Sequence, residues 1–251
     1  MLSVNTWAVR GARAAARIVL FVALAAVVAL GAVSCDRPRA AAVVDARRVL
    51  FVGNSLTTTN DLPSMVESLL VGGGGPRLEC HAVAFPGYSL EDHWNRGDAA
   101  RAIGAGGWAA VVLQQGPSAL PESRALLVEY ARRFDAVVKR VGARTALYMV
   151  WPASSRSADF DAVSASYAAA AREVNGVLLP AGDAWRAAWR RDARIALYGP
   201  DGFHPSEQGS YLAALVIYAR LSERSPVGLP RLMVSPDRAA LLQEVAAEVA
   251  K

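Results

Sequence analysis

Short apolar runs alternate with longer amphipathic segments from residue 47 to the end of the chain. The apolar runs predict five strands: VLFVG (49–53), RLECHAVAF (77–85), AAVVLQQ (109–115), TALYMVW (145–151) and GVLLPA (176–181). Strands that alternate with helices of ten or more residues form βαβ units. The pattern therefore predicts an α/β fold with a mostly parallel five-stranded sheet that is covered by helices on both faces.

The amphipathic segments repeat their apolar residues at helical spacing. They predict helices at about 62–71, 90–103, 122–141, 158–174, a short segment after Gly182, 206–221 and 236–250. In open α/β sheets, ligands bind beyond the carboxyl ends of the strands. The residues that follow each strand are therefore where a functional site is expected.

The segment 1–34 precedes this pattern and predicts a signal peptide. Three arginines lead into the uncharged run 18–34, and Cys35 follows the small residues at its end. This arrangement is typical of export and resembles a bacterial lipoprotein box, so we expect a lipid on Cys35 and a membrane anchor. Soluble secretion and an uncleaved anchor are the alternatives. All three place the protein outside the cytoplasm, with 35–46 as a tether and 47–251 as the folded domain.

Charge and composition exclude two other classes of function. The chain has 27 basic and 22 acidic residues, and without the predicted signal peptide 24 basic residues remain. The arginines are scattered, so no basic face for nucleic acid is predicted. The three histidines have no neighbours at metal-ligand spacing, and we predict neither a metal nor a cofactor. If Cys35 carries a lipid, Cys80 has no partner and is expected to be a small core residue.

Ser55 stands at the tip of the first predicted strand, directly after Gly53-Asn54. A serine in this position is commonly a helix cap or a turn residue. A second stretch, LYGPDGFHPSEQGSYLAA, changes this interpretation, because Asp201 and His204 stand three residues apart in a loop before a helix. A serine nucleophile needs an imidazole to accept its proton and a carboxylate to orient that imidazole. The three residues Ser55, His204 and Asp201 can supply these roles.

These stretches, in this order, resemble the SGNH/GDSL hydrolase superfamily. FVGNSLT resembles the serine block, with Asn54 where the name-giving motif has aspartate. AFPGYSLEDHW resembles the glycine block at Gly87, and PDGFHPSEQGSYLAA resembles the last block. The resemblance covers residues 47 to about 221. It implies a flavodoxin-like, three-layer α/β/α sandwich and hydrolysis of esters through an acyl-enzyme.

The third block of the superfamily departs here from its usual Gly-x-Asn. VVLQQGPSA offers Gln114, Gln115 and Ser118, but no asparagine. A glutamine amide can donate to the oxyanion of a tetrahedral intermediate, together with the backbone N–H groups of Ser55 and Gly87. Gln114, at the end of the strand, is the first choice. Gln115 and Ser118 are the alternatives.

The resemblance and the predicted export together suggest a substrate class. We expect an O-acetyl esterase that acts on carbohydrates or cell-envelope glycans, with Trp94, Trp151 and Tyr88 near the edge of the site. For Trp151, a place in the core is slightly favoured. A lipase or thioesterase for longer acyl chains is one alternative. A non-catalytic, glycan-binding envelope lipoprotein on the same fold is the other.

Overall fold

The computed structural model describes residues 48–74 and 78–251. The predicted signal peptide and the whole of the predicted tether, with Cys35, lie outside the described residues. Within the described part of the chain, no helix is long and apolar enough to cross a membrane.

The five predicted strands form one sheet in the order β2-β1-β3-β4-β5. All of the strand pairs are parallel, so the prediction of a mostly parallel sheet is confirmed. The strands are β1 (Arg48–Gly53), β2 (Glu79–Ala84), β3 (Trp108–Leu113), β4 (Arg144–Tyr148) and β5 (Val177–Leu179). The order reverses at β1, between β2 and β3. In doubly wound folds such a switch point opens the crevice in which ligands bind.

Apart from α1, which the apolar spacing does not predict, the helices fall close to their predicted positions, with one break. They are α1 (Ser55–Thr58), α2 (Leu62–Gly72), α3 (Leu90–Arg96), α4 (Asp98–Gly104), α5 (Pro121–Arg140), α6 (Phe160–Glu173), α7 (Ala181–Arg191), α8 (Glu207–Ser222) and α9 (Pro236–Val249). The single helix predicted at 90–103 is wrong. Gly97 has a φ of 83° and its N–H donates to the carbonyl of His93, which ends α3 before α4 begins.

The helices cover both faces of the sheet and complete the α/β/α sandwich. One layer contains α2 and α8, extended by α7 and α9, and the other contains α3, α4, α5 and α6. Strands β1, β3 and β4 lie in the middle and are almost wholly buried. This central packing fixes the carboxyl ends of the strands, from which the loops of the site extend. Cys80, on the outer strand β2, packs against the core as expected.

Candidate active site

The first strand leads directly into a short helix that presents Ser55. Asn54 is the N-cap of α1, and its side-chain oxygen accepts a hydrogen bond from the N–H of Leu56 at 3.0 Å. Ser55 is the first residue of the helix, so its own N–H has no acceptor within the helix. A Cβ on Gly53 would overlap Thr57 Oγ1 and Gln114 Oε1. The turn therefore needs glycine because two polar side chains approach its backbone.

The loop before α8 is folded around the carboxylate of Asp201. Its Oδ1 accepts hydrogen bonds from the N–H groups of Phe203 (3.0 Å) and His204 (2.9 Å). From beneath the loop, the buried indole N–H of Trp151 donates to the carbonyl of Phe203 at 3.0 Å. These contacts hold the backbone on both sides of the histidine in place.

Ser55, His204 and Asp201 form one chain of hydrogen bonds. Ser55 Oγ lies 2.9 Å from His204 Nε2, and His204 Nδ1 lies 2.5 Å from Asp201 Oδ2. Since a carboxylate accepts, the proton of the neutral imidazole is on Nδ1, and Nε2 is free to accept from the serine hydroxyl. Ser55 and His204 are 149 residues apart in the chain. The three side chains nevertheless have the arrangement that a serine nucleophile requires.

Asp201 is held in its charged form. Its hydrogen bond with His204, followed by the one from the N–H of Phe203, lowers the pKa of the carboxyl group to about 2. The carboxylate is exposed to solvent. It is therefore ionised at any pH near neutral, and it can orient the imidazole and stabilise a positive charge on it.

A cleft of about 380 Å³ opens above the serine. It is lined by Asn54, Ser55, Gly87, Tyr88, Ser89, Gln115, Gly116, Pro117, Ser118, Ser123, Leu126 and Phe203. Gly87 has a φ of 76°, which side-chain-bearing residues rarely adopt, and a Cβ there would meet no atom within 4 Å. Glycine is thus required at position 87 by the backbone conformation and not by crowding. The backbone N–H groups of Ser55 and Gly87 belong to the same cleft and can serve an oxyanion.

Gln114 does not fit the predicted role of oxyanion donor, because its side chain is buried and fully bonded. Its amide donates to Asn54 Oδ1 (3.0 Å) and to the carbonyl of Gln115. Its oxygen accepts from the N–H of Asn54 (2.9 Å) and from the hydroxyl of Thr57 (2.8 Å). Strand β3 ends at Leu113, so Gln114 lies past the strand and turns inwards beneath the serine turn. We assign it to the support of that turn.

The two alternatives are also bonded within the protein. The Gln115 amide donates to Ser118 Oγ (2.8 Å) and to the carbonyl of Ser123 (3.1 Å). The Ser118 hydroxyl donates in turn to the carbonyl of Gly116 at 3.0 Å. Both residues line the cleft, but their donors hold the loop after β3 in shape. The backbone N–H groups of Ser55 and Gly87, two residues that line the cleft, remain as the candidate oxyanion donors.

Two contacts at the serine turn were not predicted from the sequence. Asn54 Nδ2 donates to the carbonyl of Tyr88 at 3.0 Å, which links the turn to the loop that carries Gly87. His93 is fully buried, and its Nε2 lies 2.7 Å from the carbonyl of Gly53. Because a carbonyl accepts, Nε2 carries the proton, and burial lowers the pKa of this imidazole. The pattern of α3 placed His93 on a helix but gave no sign of its partner.

Of the three aromatic residues expected at the edge of the site, one lines the cleft. Tyr88 does so, together with Phe203, an aromatic residue that no pattern in the sequence indicates for the site. Trp151 is fully buried and stacks on Trp185 with a ring separation of 3.5 Å. Trp94 packs edge-on against Phe134 at 5.2 Å. The expectation for Trp94 is therefore wrong, and Trp151 acts from the core, as was slightly favoured.

Comparison with solved structures identifies the fold. A putative SGNH hydrolase from Slackia heliotrinireducens is 29% identical, with a TM-score of 0.59, over 69% of this chain and 98% of that one. A lipase/acylhydrolase from Enterococcus faecalis is 17% identical, with a TM-score of 0.57, over 75% and 100%. A catalytic mutant of an acetylxylan esterase from Geobacillus stearothermophilus is 14% identical, with a TM-score of 0.57, over 70% and 94%.

The chain therefore has the fold of the SGNH/GDSL hydrolases, as the resemblance implied. No protein-family model and no curated protein matches it. The first of these neighbours is described as a putative SGNH hydrolase, the second as a lipase/acylhydrolase and the third as an acetylxylan esterase. At 17% and 14% identity, those two likenesses concern the fold alone.

Proposed function

We propose that this protein is a serine hydrolase that cleaves ester bonds through an acyl-enzyme. The observation that carries the proposal is the hydrogen-bonded chain from Ser55 Oγ through His204 to Asp201 Oδ2, with separations of 2.9 and 2.5 Å. Ser55, at one end of this hydrogen-bonded chain, lines an open cleft at the carboxyl ends of parallel strands. An arrangement of this kind is recognised by its geometry and the roles of its residues.

In the proposed reaction, Ser55 Oγ attacks the ester carbonyl while His204 Nε2 accepts the hydroxyl proton. The negative oxygen of the tetrahedral intermediate accepts hydrogen bonds from the N–H groups of Ser55 and Gly87. His204 then gives its proton to the leaving alcohol, and the acyl group stays on Ser55. In the second half, His204 takes a proton from a water molecule that attacks the acyl carbonyl. The bond to Ser55 Oγ then breaks, His204 returns the proton to that oxygen, and the carboxylic acid leaves. Asp201 remains ionised throughout and keeps the proton of the imidazole on Nδ1.

For the substrate, we propose an O-acetylated carbohydrate or cell-envelope glycan. Tyr88 and Phe203 both line the cleft, and aromatic side chains offer apolar surface to the face of a sugar ring. The similarity in fold to an acetylxylan esterase supports the same class of substrate. The lipase/acylhydrolase likeness keeps longer acyl chains as the second candidate.

The test uses the full-length protein purified in mild detergent. We expect hydrolysis of p-nitrophenyl acetate, and we expect the Ser55→Ala variant to lose it. A series of esters from acetyl to dodecanoyl separates the two substrate classes: falling rates favour the acetyl esterase, and rising rates favour the lipase or thioesterase. Acetate released from acetylated xylan tests the carbohydrate directly. Wild-type protein that is no faster than Ser55→Ala on every ester would instead favour a non-catalytic module.

We also propose that the domain is exported and anchored by a lipid on Cys35. The support is the pattern of residues 1–35, which lie outside the described part of the chain. Metabolic labelling with a palmitate analogue should modify the wild-type protein and leave Cys35→Ser unlabelled. Equal labelling of both would contradict the assignment of the lipid to Cys35. An unlabelled protein recovered outside the cytoplasm would favour one of the two other export modes.

A further inference from the structure

A second link joins the serine turn to the histidine loop, and it is made by Asn60. This residue lies five positions after Ser55, in the single turn of 3₁₀-helix that follows α1. Its amide nitrogen donates to the carbonyl of Pro205 and to the hydroxyl of Ser210, both at 3.0 Å. Pro205 directly follows His204, and Ser210 lies in the first turns of α8. Both amide hydrogens are thus used to hold the other half of the site.

The backbone at Asn60 is unusual. Asn60 has a φ of 55° and a ψ of 22°, and Asp61 has a φ of 51° and a ψ of 52°. Two consecutive left-handed residues are uncommon, although asparagine and aspartate tolerate this region better than most side chains. The conformation reverses the chain between α1 and α2, and Asn60 extends its amide to the histidine loop.

Helix α2, which follows the serine turn, packs on α8, which follows the histidine loop, but the side-chain hydrogen bonds that support the two halves are otherwise separate. The serine turn is held by Gln114 and by His93, whereas the histidine loop is held by Trp151 and by the hydrogen bonds to Asp201. These contacts lie within one half each and do not set the distance between them. Catalysis depends on that distance, because an error of about 1 Å at a reacting group can cost about 100-fold in rate.

We propose that Asn60 is a positioning residue that sets the separation of Ser55 Oγ and His204 Nε2. The inference rests on the function proposed above. Asn60 does not touch the cleft and acts through the carbonyl of Pro205, so it should affect the rate of the chemical step and leave substrate binding alone. Asn60 itself is exposed, but Ser210 is buried at 1% exposure, so losing the amide also removes the hydrogen-bond partner of the Ser210 hydroxyl.

The chain offers a matched pair of variants for the test. Asn60→Gly removes the amide but keeps a residue that accepts left-handed backbone freely, so the turn is not strained. Asp61→Gly makes the same backbone change at the neighbouring left-handed position, where the aspartate side chain makes no capping hydrogen bond. We expect Asn60→Gly to lower kcat about 10- to 100-fold with KM changed less than twofold. Asp61→Gly should keep wild-type kcat and KM.

A second variant and a second measurement separate positioning from folding. Asn60→Asp keeps the shape and the left-handed tolerance but has no amide donor, and it should lower kcat as Asn60→Gly does. Urea unfolding should show both glycine variants fully folded under the assay conditions, with a lower midpoint only for Asn60→Gly, because buried Ser210 loses its partner there. Wild-type kcat in Asn60→Gly, or an equal loss of kcat in Asp61→Gly, would overturn the proposal.

Nitrogen NMR of the His204 side chain gives a test that does not need activity. Ser55→Ala defines the Nε2 signal of an imidazole without its serine partner. We expect the Nε2 signal of Asn60→Gly to move towards that reference, while Asp61→Gly keeps the wild-type signal. If the wild-type protein hydrolyses no ester, the proposed function fails and this spectrum still decides the positioning role. An unchanged signal in Asn60→Gly would refute it.

Discussion

Gln114 and Asn54 exchange hydrogen bonds beneath the serine turn. The Gln114 amide donates to Asn54 Oδ1 at 3.0 Å, and the N–H of Asn54 donates back to Gln114 Oε1 at 2.9 Å. Both residues are buried, at 0% and 7% exposure, so neither group can turn to water instead. The pair thus connects the loop after β3 to the residue that precedes Ser55.

This relationship predicts that Gln114→Ala acts on stability. The substitution leaves the N–H of Asn54 and the hydroxyl of Thr57 without their acceptor, and each buried unsatisfied group costs about 1–3 kcal/mol. We expect the free energy of unfolding, measured in urea, to fall by about 2–6 kcal/mol. Thr57→Val removes one bond of the same cluster and should cost less. A wild-type free energy of unfolding together with a large loss of kcat would instead support the oxyanion role for Gln114.

A second prediction concerns Asn54→Asp, which introduces the aspartate of the name-giving motif. The new side chain still accepts from Leu56 and Gln114, but it cannot donate to the carbonyl of Tyr88 and places an anionic oxygen against it. Loss of this link should move Gly87 relative to Ser55 and lower kcat/KM for p-nitrophenyl acetate roughly tenfold. An aspartate variant as active as the wild-type protein would show that the link to Tyr88 does not position the oxyanion donors.

A third prediction concerns Asp201→Asn. The amide keeps the size of the carboxylate but cannot hold the imidazole proton on Nδ1 or stabilise a charged imidazole. We expect kcat to fall by about 100-fold or more while the fold is retained, since Asp201 is exposed. Rates on p-nitrophenyl acetate and the circular dichroism spectrum measure the two effects. Near-wild-type kcat in this variant would remove Asp201 from the mechanism.

A fourth prediction follows from the buried imidazole of His93. Burial lowers its pKa in the folded state below the ordinary 6.5, whereas the unfolded chain titrates near 6.5. Between the two values the unfolded state binds more protons, so acid favours unfolding. The neutral, buried His93 therefore contributes to stability above about pH 6.5, and this contribution is lost as the pH falls through the folded-state pKa of His93.

The comparison of wild-type protein with His93→Gln isolates this effect. Glutamine can also donate to the carbonyl of Gly53 but does not titrate. The variant should lose less of its free energy of unfolding than the wild-type protein when the pH is lowered from 7.5 to 5. Urea unfolding at several pH values measures the difference. Parallel pH dependence of the two proteins would contradict the assignment of this contribution to His93.

The sequence by itself determined the architecture of this protein and the residues that carry the proposed chemistry. Apolar runs such as 49–53 and the amphipathic helices between them are local patterns, and crossover helices permit only a parallel sheet. The spacing of Asp201 and His204 is also local, so their pairing across 2.5 Å could be anticipated from the loop alone.

The tertiary structure decided which side chains support the site and which face the cleft. In the sequence, Gln114 looks like the end of a strand, His93 like a helix residue and Asn60 like part of a turn. Their hydrogen-bond partners lie far away along the chain, at separations of 60, 40 and 145 residues, respectively. No local pattern encodes such contacts, because they form when separate strands and loops meet at one edge of the sheet. The choice between an oxyanion donor and a buried support depended on where the Gln114 amide points, and packing alone fixes that direction.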